Sequence, residues 1–149
     1  MKRHSFGSDS ACHVLGLASV MGFVALALCS GAKLLTKFHI RGLSGSWNAS
    51  SESLVLQAVP GKIVFRFHSR DLHLMQALAK DAKPVRFVVR LDGAAPGDNC
   101  VVDTTQDGSG EIRESRLYQL IRQKGPIVDR TFEIEFLDPG IQALDFTFG

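Results

Sequence analysis

"KIVFRFHS", residues 62–69, alternates strictly: Ile63, Phe65 and Phe67 fall on one side of an extended chain, and Val64, Arg66 and His68 on the other. A period of two with one apolar and one mixed side marks a strand whose sheet is packed on one face. The scheme recurs downstream. In "PVRFVVRLDG" (84–93) Val85, Phe87, Val89 and Leu91 oppose Arg86, Val88 and Arg90, and in "TFEIEFLDPG" (131–140) Phe132, Ile134 and Phe136 oppose Thr131, Glu133 and Glu135. "ALDFTFG" (143–149) sets Leu144, Phe146 and Phe148 against Asp145 and Thr147. Pro-Gly and Asp-Gly corners punctuate these runs: "VPGK" (59–62), "DGAAPGDN" (92–99), "QDGSGE" (106–111), "KGPI" (124–127) and "DPG" (138–140). Such residues supply the pre-set or positive φ that antiparallel connections require. Short strands at this spacing predict an all-β, antiparallel β-sandwich or jelly roll.

Two segments satisfy a second period as well. In "DLHLMQALAKDA" (71–82) Leu72, Met75 and Leu78 share a helical face, as do Leu117, Leu120 and Ile121 in "ESRLYQLIRQ" (114–123). Their all-β neighbours decide for strands.

The chain has 149 residues, a net charge of +2 and 45% hydrophobic residues, which describes one globular domain with a short extension. A chain of this size buries roughly 68–70% of its unfolded surface, enough for stability without staples. Aromatic usage is lopsided, with ten Phe against one Trp and one Tyr. Phenylalanine lacks a polar handle and serves cores. Interleaved charges of both signs give no basic stripe for a phosphate backbone, which argues against nucleic acid as a partner.

Cys12, Cys29 and Cys100 form no CxxC pair and no metal-ligand spacing. A thioredoxin-type dithiol needs both sulfurs on one turn, so the chain is not a self-sufficient oxidoreductase. No phosphate loop, nucleophile elbow or Ser/His/Asp order is present, and neither an enzyme nor a cofactor is expected.

"VLGLASVMGFVALALC" (14–29) follows Lys2, Arg3 and His4 in the layout of a signal peptide or membrane anchor. Extended over residues 11–32 the run approaches the ~20 residues that cross a bilayer, although His13, Ser19 and Ser30 dilute it. Ser30 and Ala32 suit a cleavage site, whereas Leu28 before Cys29 spoils a lipobox. Lys33, Lys37 and Arg41 follow the run at least as densely as Lys2 and Arg3 precede it, and a positive-inside count would hold the remainder in the cytoplasm. The expected organisation is a leader and linker over 1–41 and a β-domain over 42–149, exported and either cleaved or tethered. The other reading of the leader is a translated remnant.

"LSGSW" (43–47), "FRFHSRDLHL" (65–74), "VRFVVRLDG" (85–93), "RLYQLIRQKGPIVDRTFEIEFLDPG" (116–140) and "FTFG" (146–149) together resemble the domain that follows the thioredoxin-like domain in DipZ-type cytochrome c biogenesis and thiol–disulfide interchange proteins. The resemblance implies a jelly roll like that of carbohydrate-binding modules, a periplasmic or other extracytoplasmic setting, and membrane contact only through the N-terminal segment. It implies as partners a polysaccharide and a thioredoxin-like redox protein; the family's CxxC has no match here. One departure stands out. Where the family tends towards Asp-x-Asp before a Gly-x-Gly turn, "VVDTTQDGSGE" (101–111) keeps Asp103, Gly108 and Gly110 and places Thr105 at the second aspartate.

Modules of this kind hold sugars on flat aromatic faces flanked by polar side chains. Trp47 and Tyr118 are the amphipathic aromatics, with Arg116, Gln119 and Arg122 beside Tyr118 as hydroxyl partners. The competing expectation places both rings in the core. His68, Arg70, Asp71 and His73 suggest a zinc or acid–base cluster only if a bulge near Ser69 brings them to one face. Otherwise Arg70 pairs with Asp71 and the histidines bond across strands. "DTTQDGSG" (103–110) suggests a calcium loop, although a hairpin turn fits it better, and Cys100 reads as a free thiol, as a partner for another chain or, more simply, as a small buried residue.

Overall fold

The computed structural model describes residues 40–50, 52–78 and 82–149; the expected leader, with Cys12 and Cys29, lies outside them. The described chain is all-β. Eight strands follow in order: β1 Ile40–Ala49, β2 Leu54–Phe67, β3 Asp71–Leu78, β4 Val85–Leu91, β5 Ser109–Ile112, β6 Arg116–Arg122, β7 Arg130–Phe136 and β8 Ile141–Phe148. All pair antiparallel in one sheet of order β5-β4-β7-β2-β8-β3-β6, with β1 added on β2. Among the described residues no helix is long and apolar enough to cross a membrane.

The sheet curls, and chain length alone requires it. Six inter-strand spacings of about 4.8 Å would put β5 and β6 about 29 Å apart in a flat sheet. Only Arg113, Glu114 and Ser115 separate Ile112 of β5 from Arg116 of β6, a reach of at most about 14 Å. The two end strands therefore approach each other, and the inward faces meet: Phe132 on β7 lies edge-on to Phe146 on β8 at 6.3 Å, and Phe65 on β2 to Phe146 at 4.5 Å.

β2 carries the corner. Its second half, Gly61–Phe67, pairs with β7, whereas Leu54 and Val55 pair with β8. β1 accompanies β2 through the bend, matching Leu43 to Ile63 before it and Trp47 to Leu56 after it, with register shifts around Ser46. Gly45 sits inside the bend at φ +99°, where a Cβ would fall 2.6 Å from the Pro60 carbonyl oxygen. A Cβ on Gly61 would lie 2.1 Å from Leu56 Cδ1 and 3.0 Å from the Trp47 ring. This corrects the expected turn at "VPGK". The Pro-Gly pair bends one continuous 14-residue strand rather than reversing the chain, because β1 curves with it and keeps it paired.

The three strictly alternating stretches behave as expected: Ile63, Phe65, Phe67, Val85, Phe87, Val89, Leu91, Phe132, Ile134 and Phe136 are buried in one core. Each such side chain contributes about 1.5–3 kcal/mol by leaving water. Segments 71–82 and 114–123 supply β3 and β6, with the end of the first outside the described residues. In the first, Leu72, Leu74 and Gln76 are buried and Met75 is exposed, so burial follows the period of two; in the second a bulge accounts for the helical spacing. Leu120 is an extra residue between the pairs Leu72–Ile121 and His73–Gln119, so Leu120 and Ile121 both point inward while Leu117 is exposed. On β8, Leu144 is likewise extra between Met75–Asp145 and Gln76–Ala143. That shift buries Ile141 and Ala143 with Phe146 and leaves Leu144 half-buried, against the alternation expected from Leu144 to Phe148. "QDGSGE", expected as a turn throughout, ends in β5, which pairs with β4.

Candidate functional site

Trp47 and Tyr118 are core residues, each 1% exposed. The Trp47 indole Nε1 donates to the Ser44 carbonyl at 2.7 Å, and its ring meets Phe136 edge-on at 5.9 Å. The Tyr118 hydroxyl donates to Glu114 O at 2.9 Å and accepts from the backbone N–H of Arg113 at 3.2 Å, so it fastens the link between the two end strands. Their polar handles are spent within the fold, and neither ring offers a face to a ligand.

The three polar companions of Tyr118 go elsewhere. Arg116 covers the Tyr118 ring at 3.9 Å and reaches both carboxylate oxygens of Asp103, at 3.1 and 2.6 Å. Arg122 pairs with Asp71 on the neighbouring strand. Gln119 has an exposed side chain, while its backbone N–H donates to Asp103 at 2.8 Å. Burial would raise the Asp103 carboxyl; the Arg116 hydrogen bonds and the Gln119 N–H outweigh it and hold the group below 3.8.

"DTTQDGSG" thus does not gather its carboxylates. Asp103 turns to Arg116, and Asp107 accepts from Thr105 Oγ1 and, at 2.9 Å, from Ser109 Oγ. Thr105 replaces the second aspartate as a hydroxyl donor that closes the turn on Asp107. Among the described residues no three His, Cys, Asp or Glu side chains are placed to hold a metal.

The histidines separate too. β2 ends at Phe67 and β3 begins at Asp71, so His68 lies in the crossing just past β2 while His73 lies within β3, between β6 and β8. Arg70 does not take Asp71, which belongs to Arg122; the Arg70 carbonyl accepts from Gln123 N at 2.8 Å. His73 Nδ1 is buried without a partner. His68 Nδ1 meets Asp129 Oδ1 at 2.8 Å, and Arg66 Nη2 meets Asp129 Oδ2 at 3.1 Å.

That last arrangement frames the candidate site. A hollow of about 270 Å³ is lined by Arg66, Phe67, His68 and Phe148. Phe148 stacks on Phe67 at 6.4 Å and 24°, yet stays 45% exposed. The loops beside it are fastened from within. Buried Gln123 donates to Ser69 O and Val128 O, both at 2.9 Å, and accepts from Val128 N at 3.3 Å. One side chain thereby fixes the 68–70 crossing to the loop that ends in Asp129, and presents Ile127 and Val128, both exposed, on that loop.

Sequence reading had Arg66 and His68 on one outward face but missed the site they form. Asp129 lies 61 residues from His68 and is delivered by the β2–β7 pairing. Phe148 shares the inward phase of Phe146, and only its place at the end of β8 leaves it uncovered.

No curated protein matches the chain. The family described as the thioredoxin-like C-terminal domain matches residues 35–149, a span that takes in all eight strands and the hollow. The chain belongs to the thioredoxin-like C-terminal domain family.

Proposed function

We propose that this chain is a non-catalytic accessory module of a DipZ-type thiol–disulfide interchange or cytochrome c biogenesis system, acting outside the cytoplasm and holding a thioredoxin-like partner near a polysaccharide. Family membership over 35–149 is the observation that carries it, since that membership points to an accessory domain in thiol–disulfide systems. The sequence adds a requirement: with no CxxC among these 149 residues, the redox step falls to a cysteine pair outside them. In this reading the curled antiparallel sheet is a jelly roll of the carbohydrate-binding-module type, and residues 11–32 export or tether it.

Burial removes the sugar-binding role from Trp47 and Tyr118, the residues first expected to hold it. Among the described residues, the exposed ring of Phe148 beside Arg66 and His68 is an aromatic platform with polar flanks. A second reading, a protein-docking domain, is favoured by Ile127 and Val128, held exposed on the loop that Gln123 clamps.

The test passes the full chain over immobilised polysaccharides, alone and with a thioredoxin-like protein encoded beside it. Retention of both proteins together is the expected result. A thiol protein that elutes alone rules out the tether, and capture of the thiol protein without any polysaccharide favours docking.

A further inference from the structure

We infer that the hollow at Phe148 is a subsite for one neutral sugar ring, with Arg66 donating to one sugar hydroxyl, His68 Nε2 accepting from its neighbour and Phe148 as the platform; this rests on the polysaccharide half of the proposed function.

The hydrogen-bond inventory sets the ligand class. A carboxylate only accepts, so the contact between His68 Nδ1 and Asp129 Oδ1 places the ring proton on Nδ1. In the neutral imidazole Nε2 is then an acceptor. Asp129 occupies one guanidinium nitrogen of Arg66 and leaves the remaining N–H groups as donors. The hollow therefore offers a donor and an acceptor side by side, both fixed by one carboxylate. Adjacent sugar hydroxyls need that combination, because each hydroxyl gives one hydrogen and receives another. A carboxylate or phosphate ligand has nothing to donate to Nε2 and would find one of its would-be donors already neutralised by Asp129.

The apolar half of the site matches as well. Phe148 has no polar atom and is braced by Phe67 and by the edge of Phe65 at 6.1 Å, so it offers a rigid surface to sugar C–H groups. At about 270 Å³ the hollow falls below the roughly 300 Å³ at which sites for larger ligands begin, which suits a single ring of a chain that continues into solvent. The polar groups cost little to order, because Gln123 already holds the loop from which Asp129 projects.

The experiment measures binding of the full chain to soluble amylose, laminarin, chitin oligosaccharides and xylan as neutral probes and to polygalacturonate as an acidic one. The wild type is expected to bind at least one neutral probe and to bind it about tenfold more weakly as Phe148→Ala, His68→Ala or Arg66→Ala. His68 and Arg66 are 64% and 53% exposed, so their variants decide the matter if Phe148→Ala fails to fold. Neutral-probe binding that survives all three changes overturns the subsite and leaves the polysaccharide reading standing. Preference for polygalacturonate overturns the ligand class, and a wild type that binds no probe overturns both the subsite and that reading.

Discussion

The Asp103 carboxylate grips Arg116 with both oxygens and also accepts the backbone N–H of Gln119, and its side chain is only 8% exposed. Gln119 lies on β6, the last strand of the sheet, and the 100–103 segment runs alongside it: Asp103 N donates to Gln119 O, and Cys100, a free thiol that is half-buried rather than buried as expected because it lies on this edge, bridges to Ile121. The carboxylate thus takes an edge donor that would otherwise be open to another chain.

Replacing Asp103 with Ala should cost about 2–3 kcal/mol, since it removes three bonds to a charged acceptor and leaves Arg116, over Tyr118, with the exposed Glu114 as its carboxylate partner. Glu111→Gln, which breaks a pair whose arginine is 73% exposed, should cost less than about 1 kcal/mol. The Asp103 group also sets a pH dependence. Its folded-state pKa lies below 3.8, so its contribution is complete above pH 3.8 and is lost as pH falls through the lower folded value. Denaturant titrations of both variants across acidic pH check the size and the sign; equal losses would contradict the ranking.

Asp138 is pulled down to about 2 by the Arg86 side-chain hydrogen bonds and then by the Arg86 backbone N–H. It should remain ionised and paired with Arg86 down to about pH 2, the pairing's contribution to stability falling away between 3.8 and that value. In Arg86→Gln the carboxyl should titrate closer to 3.8, with the backbone bond retained. An NMR titration of the aspartate carboxyl carbons reads both midpoints, and an unmoved Asp138 would show that Arg86 is not the cause.

Gln76 is fully buried on β3 with neither amide atom partnered. Burying an amide without hydrogen bonds costs roughly 1–3 kcal/mol. Gln76→Leu should therefore raise the unfolding free energy by about that amount. A loss of stability in equilibrium unfolding would mean that the amide is satisfied in solution.

Gly61→Ala should destabilise by about 1–3 kcal/mol, as its methyl group would press on Leu56 and Trp47 at the corner of β2. Pairing it with Leu56→Ala should recover part of the loss, giving a coupling term in the double-mutant cycle. Strict additivity would place the cost in the backbone instead.

The strands around Phe65, Phe87 and Ile134 were legible because no residue is inserted within them and burial follows the period of two unbroken. β6 and β8 were harder to read because Leu120 and Leu144 each add one residue and reverse the phase after it. The corner at Pro60 was hidden for another reason. Pro-Gly encodes a local bend, and whether the chain reverses or continues depends on β1, which is remote information. The same limit held at the site. Arg66 and His68 announce themselves within one strand, whereas Asp129 and Phe148 join them only through the pairing of β7 with β2 and through contact across the core.

The ribbon of β1 and β2 serves both limbs of the sheet, lending its second half to β7 and its first half to β8. Neither limb keeps a complete set of neighbours once the other is gone. Partial melting would strip backbone groups on both sides of the corner together, so among the described residues the two limbs are tied to each other at β2. Whatever the Phe148 hollow binds is consequently linked to the stability of the entire domain, and occupancy there resists unfolding everywhere.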